Sequence, residues 1–322
     1  MNKPVVNKPV VNKPVVNKPV VNKPVVKQRR SVRPLVFGVL ALALLLAAWE
    51  TYRNWIGPWL GTERDVGKVF GFKLLPRAND LAMPSVFDMG REFGKPQVRG
   101  RSTNVLQAVA EGTFNSLKLV VIALILGSII GIGAAILMAR FKVVQRGLMP
   151  YLVVSQTIPL IALAPLTVTW GGQLNIFGFE WQKWTSALVL GAFLSFFPIA
   201  VGALRGFNSP EPAALELMDS YASSWWSTWR KLRLPAAIPY LAPAMRLAAS
   251  AAVFGVIVSE LSVGLTNGVG YLILSYMQEG TSRPAKVFTA VAGTVVLGLL
   301  MAAIINAVDR YLTRNRPSEG YS

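Results

Sequence analysis

Residues 119–139 read LVVIALILGSIIGIGAAILMA, an uncharged apolar run bounded by Lys118 and Arg140. A helix rises about 1.5 Å per residue, so about 20 apolar residues cross the roughly 30 Å hydrocarbon layer of a bilayer. Outward from this stretch, further runs are long and apolar enough to cross at 148–170, 184–204 and 287–308. These runs predict an all-α membrane protein.

The composition of the chain agrees with this fold class. Its 322 residues are 53% hydrophobic and 15% charged, with a mean hydropathy of +0.46, which is more apolar than a soluble domain requires. The chain has no cysteine and no histidine, which excludes disulfides and thiolate metal sites and removes the commonest metal ligand and general base. We therefore predict no metal site, no cofactor and no catalytic residue on this chain.

Two less regular segments bring the predicted transmembrane helices to six. Residues 35–55 form the first, and residues 239–265 contribute the fifth. A cleaved signal peptide is the alternative for the first segment, but the aromatic residues that follow its apolar part favour a retained anchor. Cations are concentrated before the first helix, in short loops and after the last helix, which predicts that the N and C termini are cytoplasmic.

The net charge of +18 does not predict nucleic-acid binding, because half of it lies in a basic leader over 1–34 and the rest is spread over loops. The leader begins with five tandem copies of Asn-Lys-Pro-Val-Val, whose regular prolines predict a disordered segment. A weak tether of its lysines to anionic lipid is the alternative to a dispensable tail.

The remaining boundaries follow from the predicted spans. We expect a periplasmic connection over 56–115, which is rich in Gly, Pro and charge and predicts short surface helices. A five-helix core follows over 116–308, with a cytoplasmic loop at 206–238 inside it, and a cytoplasmic tail occupies 309–322.

The loop at 206–238 contains the pattern E-L-M-x3-A-x9-L-R-L-P, which begins at Glu216 and ends at Pro235. This pattern predicts a short helix, in which Ala222 permits close helix approach and Pro235 ends the element; the resemblance given below implies that a soluble partner grips it. An amphipathic helix on the lipid headgroups is the alternative, since tryptophans and cations are also common there. The candidate coupling residues are Glu216, Ala222, Trp225, Trp226, Trp229, Leu232, Leu234 and Pro235.

This spacing resembles the "EAA" loop, E-A-A-x3-G-x9-I-x-L-P, of the permease subunits of bacterial ATP-binding-cassette (ABC) importers. Leu217 and Met218 stand where that pattern has two alanines, and Ala222 stands where it has glycine. The stretches QTIPLIALAPL at 156–166 and GVGY at 268–271 resemble importers of the nitrate, sulfonate, taurine and bicarbonate type. The resemblance covers 81–308 and implies the type I ABC importer permease fold in a bacterial inner membrane.

The same resemblance implies a function and a set of partners. The solute is expected to be small, either sulfonate-, nitrate- or bicarbonate-like or a pyrimidine- or riboflavin-like heterocycle. ATP and Mg belong on a cytoplasmic ATPase dimer, because this chain has no G-x-x-x-x-G-K-[ST] phosphate loop and is not itself expected to be an enzyme. A second permease subunit, identical or homologous, and a periplasmic or lipid-anchored solute-binding protein complete the implied assembly.

A stand-alone secondary transporter or channel is the competing interpretation. Such a protein needs ion-coupling acids at mid-membrane and paired broken helices in two related halves, and neither is evident in the sequence.

Candidates for the translocation path are the polar or helix-breaking residues of the spans, namely Gln156, Thr157, Pro159 and Glu260. Pro159 frees a carbonyl in the preceding turn, so this part of the third span can present polar groups to a solute. Hydrogen bonding between helices is the alternative role for Gln156 and Thr157. We expect Glu260 near the outer interface, as a gate, as a seat for the binding protein or, preferably, as a solvated side chain.

Overall fold

The computed structural model describes residues 33–56, 68–69, 72–73, 82–98, 102–173, 175–176, 179–279 and 283–313. The repeats of the leader, much of the predicted periplasmic connection and the tail beyond Thr313 therefore lie outside the described residues. The chain divides into two compact units between Ala48 and Trp49. All packing reported below lies within the second unit.

The described residues are predominantly helical. The helices are α1 Arg33–Thr51, α2 Val86–Glu92, α3 Val105–Arg140, α4 Lys142–Ser155, α5 Leu160–Gly171, α6 Lys183–Phe207, α7 Pro212–Ser220, α8 Trp225–Thr228, α9 Leu234–Val263, α10 Val269–Gln278 and α11 Pro284–Thr313. Single π-helical turns follow α1 at Tyr52–Ile56 and α8 at Trp229–Arg233. Short antiparallel pairs join β1 Lys68–Val69 to β2 Phe72–Lys73 and β3 Asn175–Ile176 to β4 Phe179–Glu180.

Four helical segments among the described residues are long and apolar enough to cross a membrane: Val105–Arg140, Lys183–Phe207, Trp225–Val263 and Pro284–Tyr311. A fifth crossing is obtained if α4 and α5, which meet at 103°, count as one broken span. The multi-pass, all-α prediction is therefore confirmed. Helix α1 covers the predicted first span, and its crossing of the membrane stays a prediction.

The predicted third span over 148–170 is a broken pair of helices and not one straight helix. The chain turns sharply at Gln156–Pro159, and α5 begins with Pro159 as its N-cap. Pro159 has no N–H and disfavours helical dihedrals at Ile158, so an α-helix cannot pass through this point without losing a hydrogen bond and straining the backbone. The hydroxyl of Thr157 donates instead to the Val154 carbonyl at 2.8 Å.

The helix that carries the 119–139 run begins before the predicted boundary at residue 115, which itself stays a prediction. Helix α3 begins at Val105, so the last part of the predicted outer connection belongs to the same 36-residue helix as the apolar run. The connection does contain a short surface helix, α2, whose Ser85 hydroxyl caps the Asp88 N–H at 3.0 Å. Polar residues such as Glu111 hid this extension, because they are exposed on one face of a helix whose other face is buried.

Helix α6 forms the centre of the bundle and packs along both α3 and α9. Glycines make the contact with α3 possible: a Cβ at Gly131 would lie 2.6 Å from the Phe196 carbonyl oxygen, and Gly127 has no room for one either. Gly133, two residues after Gly131 on the same helix, has nothing within 4 Å of a Cβ. Small residues thus allow the backbones to approach closely, as expected where lipid provides no hydrophobic drive.

The main apolar core lies where α3, α6, α9 and α11 meet. Buried Val120, Ile199, Val256 and Leu297 represent one helix each in this cluster. A second cluster joins the C-terminal part of α3 and helix α4 to the end of α6 and to the segment before α9, and includes Phe207 and Trp229. The second cluster holds the end of the 206–238 loop against the bundle.

Candidate functional site

We call residues 212–235, from the start of α7 to the first turn of α9, the coupling segment. Its first half is the exposed helix α7, on which Glu216 and Leu217 face outward. The helix ends in a Schellman motif: the Ser223 N–H donates to the Met218 carbonyl at 3.0 Å, and the Ala222 N–H donates to the Asp219 carbonyl at 2.9 Å. The chain then reverses and enters α8.

Ala222 explains why the pattern has a small residue at this position. It has φ 50° and is the one described non-glycine residue with a positive φ. The left-handed region suits glycine, because an L side chain there crowds its own carbonyl. Ala222 is exposed, so close approach of a partner helix at this position stays a prediction; what the structure adds is the left-handed backbone conformation.

The tryptophans of the segment have different environments. Trp229 is only 8% exposed and packs against Phe207 of α6 with ring centroids 5.7 Å apart. Trp226 stacks on Trp229 at 4.8 Å and is 56% exposed, whereas Trp225 lies half-buried with the Arg140 guanidinium 5.1 Å from its ring. Trp229 therefore anchors α8 to the bundle, and Trp226 presents the exposed ring.

A second anchor fixes the end of the segment. The Arg233 guanidinium donates to the Phe207 carbonyl at 2.9 Å, which ties the π turn to the last residue of α6. Leu234 packs at the edge of the second apolar cluster, and Leu232 is half-buried. These contacts join the coupling segment to α6 as well as to α9.

The expectation that Pro235 ends an element is wrong. It lies in the first turn of α9, and the helical path from Trp225 to Val263 is continuous. The preceding turn is π-helical, with the Leu234 N–H donating to the Trp229 carbonyl. Since proline is tolerated in a first turn but has no N–H to continue the α pattern, the wide turn accommodates it without breaking the helix.

Large apolar side chains remain exposed on this otherwise polar segment. Leu217 and Tyr221 are 56% and 75% exposed and lie four residues apart, which places them on one face of the end of α7. Together with Trp226 they form what we call the exposed apolar triad. Such side chains on a polar connection are typical of a protein contact surface.

The candidate path residues do not form one site. Gln156, Thr157 and Pro159 are all exposed at the break between α4 and α5. Glu260 is instead completely buried, which contradicts the expected solvated side chain. Its carboxylate accepts hydrogen bonds from the Ser116 hydroxyl at 2.6 Å and from the Gly270 N–H at 2.8 Å.

This buried cluster joins three helices. The Ser116 hydroxyl of α3 also accepts from the Val269 N–H of α10 at 2.9 Å, so Glu260 and Ser116 together satisfy the first amides of α10. Gly268 is required because a Cβ there would overlap the Glu260 carboxyl group. The sequence indicated the glycines of this turn, but no local signal singled out Ser116, which lies 144 positions from Glu260.

A second polar cluster holds α2 against the start of α11. Glu92, 4% exposed, is bridged by Arg283 and Lys95, and the Arg283 guanidinium also donates to the Pro96 carbonyl at 3.0 Å. Burial alone would raise the pKa of Glu92, but the hydrogen bonds and charges of Lys95 and Arg283 hold it below its ordinary value of 4.5. Sequence reasoning missed this cluster because its members are distant along the chain.

Arg246 of α9 forms an ion pair with Asp309 of α11. Lys118 is exposed and lies 4.4 Å from the centroid of the Phe114 ring, a cation–π contact on its own helix.

Comparison with known proteins identifies a family and close relatives. Residues 106–314 match the family model described as "Binding-protein-dependent transport system inner membrane component". The chain is 31% identical over 198 residues to the formylaminopyrimidine transport permease protein of Halalkalibacterium halodurans, covering 61% of this chain and 74% of the relative. It is 30% identical over 194 residues to a putative aliphatic sulfonates transport permease protein of Bacillus subtilis, covering 60% and 66%.

Among solved structures, the chain is similar to the crystal structure of a bacterial ABC transporter involved in the import of the acidic polysaccharide alginate. The TM-score is 0.51 at 14% identity, over 88% of this chain and 100% of the other. At this identity the similarity concerns the fold alone.

Proposed function

The chain belongs to the family of inner membrane components of binding-protein-dependent transport systems, and on that basis we propose that it couples solute import to a separate ATPase through residues 212–235. As a member of this family it is a multi-pass permease of the inner membrane. The proposal concerns the coupling, the partners and the solute.

The exposed apolar triad is the observation that carries the coupling role. Leu217, Tyr221 and Trp226 remain exposed, whereas Trp229 and Arg233 beside them are held by α6. A partner that grips the triad therefore pulls on side chains whose neighbours are fixed to the bundle. Displacement of α7 and α8 passes directly to α6 and α9, which is the kind of rigid-body switching that opens and closes a transport path.

The proposed partners follow from this mechanism and from the family. The chain has no phosphate-binding loop, so ATP and Mg act on a cytoplasmic ATPase dimer, and the coupling segment with both termini faces the cytoplasm. A second permease subunit completes the membrane part, and a solute-binding protein delivers the cargo outside. The relatives are named for aliphatic sulfonates and for formylaminopyrimidine, so we propose a small anionic or heterocyclic solute.

Co-purification of the ATPase tests the coupling role. The full-length permease is purified from membranes of its host, and the co-purifying chain is accepted as the partner only if it carries a phosphate-binding loop and hydrolyses ATP. We expect Trp226→Ser and Glu216→Lys to remove this ATPase without affecting membrane insertion, because Glu216 and more than half of Trp226 are exposed, while Trp229 and Arg233 keep the segment on the bundle. Trp170→Ser is the matched control, since Trp170 is 60% exposed on α5, away from the segment.

A photo-reactive residue in place of Trp226 gives an independent readout. Crosslinks to the ATPase support the coupling role. Crosslinks to lipid and never to a polypeptide would contradict it and would favour the amphipathic helix on the headgroups. Uptake by the reconstituted chain alone, driven by an ion gradient, would favour the secondary transporter instead.

A further inference from the structure

A groove of about 930 Å³ runs between α6 and α9 on the side that ends near the coupling segment. Its floor consists of small residues: a Cβ at Gly202 would overlap Ala244, so the two helices touch there and no side chain fills the space above. Val201 and Tyr240 stand on opposite walls. The groove is therefore a lasting feature of the packing between these two helices.

The polar groups in this groove are Arg205 and Tyr240. Arg205 lies one turn after Val201 on the same face of α6, two residues before the end of this 25-residue helix. Both side chains are exposed, and neither forms a hydrogen bond or ion pair with any residue that the structure describes. The lining contains this one cation and no carboxylate.

An unpaired guanidinium is costly in hydrocarbon, and Arg205 is exposed in the last turn of α6 beside the coupling segment, so the groove is open to water at that end. A single uncompensated cation in a concave, otherwise apolar channel gives the groove a positive potential and raises the local concentration of anions. The Tyr240 hydroxyl adds a hydrogen-bond donor, and a guanidinium matches the planar oxygens of a carboxylate or sulfonate.

We propose that the groove between α6 and α9 is a water-filled vestibule of the solute path that favours small anions, with Arg205 as its selecting charge. This inference rests on the proposed function, in that it takes the chain to be a permease, and it selects the anionic class among the solutes considered above. The positive charge of Arg205 thus does more than orient the helix in the membrane.

The absence of cysteine in the chain allows a direct test. Val201→Cys places a single thiol in the groove of the full-length permease, kept in membrane vesicles from its host. Its reaction rate is measured with anionic sulfonatoethyl methanethiosulfonate and with cationic trimethylammonioethyl methanethiosulfonate. Each rate is divided by the rate of the same reagent with free mercaptoethanol, so that only the environment of the thiol determines the ratio.

We expect a normalised preference for the anionic reagent of roughly tenfold, the size that one unit charge at a turn's distance produces in a wet site. Arg205→Gln in the same background should abolish the preference, and Arg205→Lys should retain it. Salt at about 1 M should reduce it, because the screening length falls to about 3 Å. The salt series needs only the Val201→Cys protein, so it remains decisive if Arg205→Gln does not fold.

Three results would overturn the proposal. The first is a Val201→Cys thiol that reacts with neither reagent, because the groove would then be dry. The second is an anionic preference that survives both Arg205→Gln and high salt. The third concerns Val189→Cys, an exposed position of α6 outside the groove. If its thiol shows the same anionic preference and loses it equally on Arg205→Gln, the effect of Arg205 is not local to the groove. Failure of the ATPase to co-purify would overturn the coupling role and leave these ratios unaffected.

Discussion

Ala222 concentrates strain at the turn between α7 and α8, and it gives the first prediction. At φ 50° an alanine costs about 1–2 kcal/mol more than a glycine, partly offset by the larger entropy that glycine loses on folding. We expect Ala222→Gly to stabilise the permease by about 1 kcal/mol and Ala222→Val to destabilise it. Melting temperatures of the purified proteins in detergent measure both effects.

The matched control for this turn is Ala214→Gly, inside α7. There the backbone is helical, so glycine should destabilise by about 0.5–1 kcal/mol. Equal effects of glycine at positions 214 and 222 would contradict the strain at Ala222. The spacing of the sequence pattern located this residue, but only the backbone angle explains why glycine occupies the position in the pattern that the chain resembles.

Glu260 gives the second prediction at this scale. Glu260→Ala leaves the Ser116 hydroxyl and the Gly270 N–H buried without their acceptor and opens a cavity, which should cost about 3 kcal/mol. Glu260→Gln retains an acceptor oxygen and the volume, so it should cost clearly less. Equal losses of thermal stability in the two variants would show that the hydrogen bonds are not what the cluster contributes.

At the scale of elements, the contact between α3 and α6 depends on which glycines lie in it. A methyl group at Gly131 would press on the Phe196 carbonyl and on the Ala200 N–H, which are backbone atoms that cannot turn away. We expect Gly131→Ala to destabilise the permease by about 2 kcal/mol or more. Gly133→Ala, two residues later on the same helix, meets nothing within 4 Å and should be neutral or stabilising by up to about 1 kcal/mol.

Melting temperatures of these two variants distinguish a packed seam from a lipid-facing surface. If both substitutions destabilise equally, the close approach of α3 and α6 is wrong. In the sequence, Gly127, Gly131 and Gly133 look equivalent, because all three lie in the 119–139 run at spacings compatible with one helix. It could not separate them, since only the position of the partner helix decides which face is crowded.

The break between α4 and α5 shows a second limit of sequence reasoning. Apolar length predicted one span over 148–170, and hydropathy does not distinguish a straight helix from two helices at 103°. Pro159 and the polar pair before it were recognised as unusual, but Pro198 and Pro243 lie inside helices that continue. A proline therefore marks a weak point, and tertiary packing decides whether the chain turns there.

At the scale of the whole molecule, the apolar runs and their loops could be predicted because each crossing must satisfy its backbone internally and cover about 30 Å. The coupling segment could be located because its spacing is local. Contacts between distant residues could not: Glu92 meets Arg283 across 191 positions, and no pattern in the chain pairs them. Such pairs depend on how the helices assemble.

The Glu92 cluster gives the last prediction, a pH dependence of stability. Since the folded pKa of Glu92 is lowered, its contribution is complete above its ordinary pKa of 4.5 and is lost as the pH falls through the lowered folded value. Glu92→Gln leaves Arg283 partly buried without its carboxylate, which should cost about 2 kcal/mol at neutral pH. The stability difference between wild type and variant should shrink below pH 4.5, because protonation removes the same charge from the wild type.

Glu111→Gln is the matched control, since Glu111 is exposed and accepts only from Gln107 among the described residues, so its difference from wild type should be small at every pH. Melting temperatures measured between pH 3 and pH 7 test this, and a Glu92→Gln deficit that stays constant over about that range would show that the ion pairs do not hold α2 to α11.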